Sequence, residues 1–201
     1  MWDDINEINI QFDYWNATLS KLSRTRKRVL DQAIYMVNSI NLADDIRVAE
    51  TYATAAIHFI GTIKDMLKQD LLDLNIFNEW NISKEQKLVT EDPLLKVLRI
   101  IRNYDVHYRT LEYGLFDGMM YHIVGENIAQ TEDNSLFFEE FTWEEYEKMR
   151  PKKKELTPEY LEWFNNQTGY WSVKYICYEA INRYCKYINS FITSIVAEKE
   201  K

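Results

Sequence analysis

Glycine and proline are scarce: the 201 residues hold five of one and three of the other. All-β folds need frequent tight turns, so this shortage argues for long helices. Cysteine is scarcer still, and Cys177 and Cys185 stand eight positions apart in a helical pattern, about 12 Å along the axis at the usual rise. A disulfide does not span that distance, and two lone thiols suit a core in a reducing compartment. No apolar run approaches the length of a membrane crossing, and the acidic start MWDDINEINI lacks the charged-then-apolar order of a secretory signal. A cytoplasmic protein without membrane contact is expected. Positive charge is also short, the formal net charge being −8, which argues against broad coating of DNA but leaves room for a local phosphate site.

Recognisable chemistry is thin as well. The three histidines, His58, His107 and His122, form no H-x-x-x-H pair and join no cysteine cluster, so no metal or cofactor is expected. There is no glycine-rich phosphate loop and no G-x-S-x-G elbow. His58 sits in the apolar run AAIHFIG as a core or bundle-lining residue, and His122 alternates with apolar neighbours as in a strand.

What the chain has in quantity is apolar and aromatic side chain, 46% and 14% of residues. That supplies one well-formed core, and the length suits one helical domain over 1–201. Leu19, Leu22, Val29 or Leu30, Ala33, Val37 and Ile40 mark one face of a first helix over about 14–39, with a basic patch from Lys21 to Arg28 on the other. A second helix, capped by Asp44 or Asp45, runs to about Leu74 with Val48, Tyr52, Ala55 or Ala56, Phe59, Ile63 and Leu67 inward. Residues 75–81 form a turn holding a buried Trp80. A third helix starts at Asp92 with Pro93 in its first turn, and Gly114 and Gly118 end it. The last runs from Thr168 or Ser172 to Ala197.

Between these last two, over 113–165, the pattern changes. MMYHIV and SLFFEEF lean toward strands of a small hairpin around the polar stretch GENIAQTEDN. In TWEEYEKM, Thr142 and Glu145 have capping-box spacing, and PKKKELTPEY reads as a basic hinge. The expected fold is all-α: an up-and-down bundle of four main helices with a small β-hairpin and short helix inserted between the third and fourth.

One stretch stands out. IIRNYDVHYRT continues the apolar period of the third helix, yet Arg102, Asn103, Asp105 and His107 fall within six positions. Histidine moves protons near neutral pH, and arginine holds a phosphate by two parallel hydrogen bonds. Asparagine can support either, while Arg99, Tyr108 and Arg109 supply local charge and contact for a substrate. On an unbroken helix, Arg102 and His107 lie about 140° apart, so they share a cleft only at a broken helix end or across a two-fold dimer.

Arg102-Asn103-Tyr104-Asp105-Val106-His107 resembles the signature of the HEPN superfamily, an arginine and a histidine four to six residues apart with a polar residue after the arginine. The resemblance implies an all-α domain that pairs into a homodimer and brings two motifs into one cleft. It further implies a metal-independent endoribonuclease of the toxin, abortive-infection or antiviral type, cutting RNA with Arg102 and His107 and supported by Asn103, with an antitoxin or other protein partner. HEPN toxins partnered by nucleotidyltransferases carry a tyrosine two positions after the histidine; here that position is Arg109.

Other HEPN domains have lost catalysis, so a silent module binding a protein or nucleic acid stands as the alternative. Arg102 pairing with Asp105 and a helix-terminal His107 is the plainer structural reading. Phe137, Phe138, Phe141, Trp143 and Tyr146 either tuck into the core or form a partner surface beside Lys152 to Lys154.

Overall fold

In the computed structural model, the caps expected at Asp45, Asp92 and Thr142 start helices, whereas Gly114, expected to end the third helix, lies in a strand opposite Phe137. The structure describes residues 22–40, 45–107, 113–116, 120–124, 127–131, 135–148, 156–168 and 171–199. The start of the first helix, Lys21, Asp44 and Lys152 to Lys154 lie outside these residues. What is described is mostly helical, as expected of an all-α chain.

A π-helical turn, Thr25–Leu30, leads into helix α1, Asp31–Ile40. Its leading donors are taken by a carboxylate from the next helix. Asp70 accepts from the Thr25 amide at 2.7 Å, the Thr25 hydroxyl at 2.7 Å and the Arg24 amide at 3.2 Å. Asp70 is buried, so these three bonds replace the water it loses. The expected face of Leu22, Val29, Leu30, Ala33, Val37 and Ile40 is buried.

Helix α2, Ile46–Asp73, is capped by Asp45, whose carboxylate accepts from the Arg47 amide at 2.8 Å. It stops at Asn75, which takes a φ of 55°. The amides of Ile76 and Asn75 then reach back to the carbonyls of Leu71 and Leu72, the double bond of a Schellman end. The buried stripe differs from the expected one. Ala56, Ile63 and Leu67 are buried as expected, but Ala49, Ala53 and Ile60 are also inside, whereas Val48 is exposed and Tyr52 and Phe59 are only partly covered. α2 packs against both α1 and the third main helix, and small residues let the helices close up at that position.

The expected turn around Trp80 is instead a short helix, α3, Phe77–Ile82, followed by α4, Lys84–Glu91. Trp80 is buried edge-on against Phe191, with ring centroids 5.0 Å apart. Helix α5, Pro93–His107, opens as expected at Asp92, whose Oδ1 accepts from the amides of Leu94 and Leu95 at 3.0 and 3.2 Å.

Beyond α5 the strands pair differently from the expected hairpin. β2, Met120–Val124, pairs antiparallel with β3, Asn127–Thr131, drawn from the supposed turn, while β4, Ser135–Phe138, pairs with β1, Tyr113–Phe116. The two ladders share one register, each a two-stranded sheet. Val124 pairs with Asn127 at the end of the β2–β3 ladder. The β1–β4 pair is tied down: the Tyr113 hydroxyl lies 2.8 Å from Thr54 Oγ1, and Leu136 and Phe138 enter the core.

Helix α6, Trp143–Lys148, carries the expected capping box: the Thr142 amide donates to Glu145 at 2.8 Å, and the Glu145 amide returns to Thr142 Oγ1 at 3.2 Å. Helix α7, Pro158–Thr168, occupies part of the presumed hinge, and helix α8, Val173–Lys199, closes the core against α1, α2, α4 and β4. Among the described residues no helix is long and apolar enough to cross a membrane.

Candidate functional site

Helix α5 crosses α2 at a glycine. Alanine or leucine would suit the interior of a 28-residue helix better, since glycine there costs about 1 kcal/mol relative to alanine. The reason lies across the contact. The stem of Arg102 lies directly over Gly61, and a Cβ built there would stand 2.4 Å from Arg102 Cδ. The guanidinium is turned back on the same residue: Arg102 Nη1 donates to the Gly61 carbonyl at 3.1 Å. Asp65, one turn on and well exposed, approaches the same nitrogen at 4.0 Å. Arg102 keeps 24% of its side chain exposed, so it is held yet still reached by solvent.

On α2, His58, Gly61, Thr62 and Asp65 fall within a stripe about 100° wide. His58 is half-buried. Arg99 precedes Arg102 by three residues and is half-buried; its charge also reaches Tyr184 of α8. Burial pushes the Tyr184 phenol well above its ordinary range, and Arg99 opposes that rise. Asn103, next to Arg102, is exposed. Two guanidinium groups and an exposed amide thus share one stretch of α5 in an otherwise acidic chain.

The helix runs unbroken to His107, so the backbone register sets positions 102 and 107 about 140° apart around its axis. The side chain of His107 lies outside the described residues, as do Tyr108 and Arg109, and the Arg102–Asp105 pairing falls with them. The broken helix end that one chain would need does not occur before His107. His122 is in β2 opposite Ala129, its side chain likewise outside the description.

The aromatic segment resolves toward the core. Phe138, Phe141 and Tyr146 are buried, and Phe137 and Trp143 are half-covered. The Tyr146 hydroxyl accepts from the Leu156 amide at 3.1 Å, while Asn165 brackets Phe141 by bonds to its amide and its carbonyl. A partner surface on these five rings is therefore not what the fold presents. Cys177 and Cys185 are buried and free, as the spacing requires. Among the described residues no three His, Cys, Asp or Glu side chains gather as a metal-binding group.

Sequence reasoning found Arg102 and missed Gly61 and Asp65. The signal was present, since an interior glycine in AAIHFIGTIKDML asks for a close neighbour. No protein-family model, curated protein or solved structure matches this chain.

Proposed function

We propose that this chain is a HEPN-type, metal-independent endoribonuclease with a toxin or defence role, working in the cytoplasm as a homodimer. The reading takes α1, α2, α5 and α8 as the four main helices of an up-and-down bundle, with residues 113–165 inserted. The observation that carries it is Arg102, half-buried and braced on Gly61, with Asn103 beside it and His107 near the end of the same helix. The 140° between positions 102 and 107 favours a site completed by a second copy, with Arg102 of one protomer facing His107 of the other.

In this chemistry His107 takes the proton of a ribose 2′-hydroxyl, and the oxygen attacks the adjacent phosphorus. Arg102 holds the extra negative charge on the phosphorane, and Asn103 orients a non-bridging oxygen. The P–O5′ bond breaks and the leaving oxygen takes a proton from the protonated histidine, giving a 2′,3′-cyclic phosphate and a free 5′-hydroxyl. Arg99, Tyr108 and Arg109 flank the reacting phosphate as substrate contacts. The experiment is cleavage of labelled RNA in excess chelator by wild type, His107→Ala and Arg102→Ala. Cyclic-phosphate ends from wild type alone support the reading, and full activity in either variant sinks it.

A second reading has its own observation. Arg102 Nη1 is spent on Gly61 and approached by Asp65, as in a staple between helices. A catalytically silent helical module binding a protein or nucleic acid would use it so, and would leave RNA intact in the same assay.

A further inference from the structure

The interior glycine of α2 takes no part in the chemistry above. We infer that Gly61 is a positioning residue that presets Arg102 to grip two oxygens of one phosphodiester in single-stranded RNA, an inference that rests on the RNA reading of the site.

Three features meet at this contact. The first is the seat. A Cβ at position 61 would lie 2.4 Å from Arg102 Cδ and 3.2 Å from both its Cβ and its Cγ. The tip of an arginine can swing away from an intruder, but its Cβ moves only with the helix. Any larger residue at 61 therefore displaces α5 or throws the whole side chain off its course.

The second is the tether. The Gly61 carbonyl fixes Nη1 at 3.1 Å, and the Asp65 carboxylate stands 4.0 Å from the same nitrogen. Both contacts act on one corner of the guanidinium. An arm already ordered in the free protein has less rotamer freedom left to lose when a ligand arrives.

The third is the other edge of the fork. Nε and Nη2 meet no acceptor among the described residues. These two donors form the side of the fork that takes a pair of phosphate oxygens by parallel hydrogen bonds. A side chain needed only to fill the helix crossing has no use for a charge, and a leucine or methionine would pack there without one. Arg102 instead carries a tethered corner, two further donors that meet no acceptor among the described residues, and 24% exposure. That combination fits a receptor for an anion.

The test uses the full chain and two readouts, thermal midpoint and affinity for a random-sequence single-stranded RNA pool carrying 2′-fluoro in place of every 2′-hydroxyl. Gly61→Ala is expected to lower the midpoint by several degrees in the wild-type background. In an Arg102→Ala background it is expected to raise the midpoint, because the seat is empty and alanine is the better helix former. Affinity is expected to fall about tenfold on Gly61→Ala, with no further loss when the substitution is added to Arg102→Ala. Arg102→Lys, which leaves Gly61 untouched and keeps the charge without the fork, is expected to weaken binding by a similar factor.

Wild-type affinity in Gly61→Ala or in Arg102→Lys overturns the inference, as does an additive loss in the double variant or a wild type that does not bind the pool. The cleavage reading fails separately. If unmodified RNA stays intact while the affinity pattern holds, the ribonuclease falls and the positioning role stands. If His107→Ala abolishes cleavage while Gly61→Ala binds as wild type does, the outcome is reversed.

Discussion

Arg183 of α8 donates through Nη1 to both carboxylate oxygens of Asp92, 91 positions away, at 3.2 Å each. The same carboxylate caps α5 and accepts from the Tyr187 hydroxyl at 3.1 Å. One buried aspartate thus starts the helix that carries Arg102 and fastens that start to the last helix of the chain.

Removing it should be costly. Asp92→Ala loses a cap worth about 1 kcal/mol and leaves Arg183 paired, among the described residues, with Glu179 alone, so a total near 2 kcal/mol is expected. Asp92→Asn keeps the cap and should recover about 1 kcal/mol of that loss. Urea unfolding measures both. An Asp92→Ala protein within about 0.5 kcal/mol of wild type would show that the contact does not hold the two helices together.

The buried thiols set an alkaline limit. Burial pushes Cys177 from 9.0 up to about 12 and Cys185 well above 9.0. A thiol that ionises only in the unfolded chain holds more protons when folded, so its contribution is intact below pH 9 and is lost as pH rises toward 12. Each such thiol adds a slope of about 1.4 kcal/mol per pH unit across that window. Unfolding free energy between pH 8 and 11 should decline less steeply in Cys177→Ala than in wild type. Equal slopes would place the thiol in contact with water.

Local chemistry was legible in the sequence and long-range pairing was not. Asp92 before Pro93, and Thr142 three residues before Glu145, name their own helix starts because donor and acceptor lie within one turn. Asn75 likewise marks the end of α2 through its own left-handed backbone. The strand pairing was misread because SLFF and MYHIV look equally strand-like, and only cross-chain register decides that Leu136 faces Leu115. The α2 stripe was misplaced because periodicity ranks Val48 and Tyr52 above Ala49 and Ala53, whereas close helix packing prefers the small residues. At the site, Arg102 was visible as a charge on an apolar helix. Its seat on Gly61, 41 positions earlier, was not.

The most direct test mixes two dead proteins. Arg102→Ala and His107→Ala are each expected to leave RNA uncut in excess chelator. On the composite-site proposal, unfolding and refolding them together at equal amounts gives mixed dimers in which one of two clefts holds an intact arginine from one protomer and an intact histidine from the other. About a quarter of wild-type cleavage is the expected result, since half the dimers are mixed and each has one good site. A mixture as inactive as its parts, while the wild type cuts, would contradict the composite site.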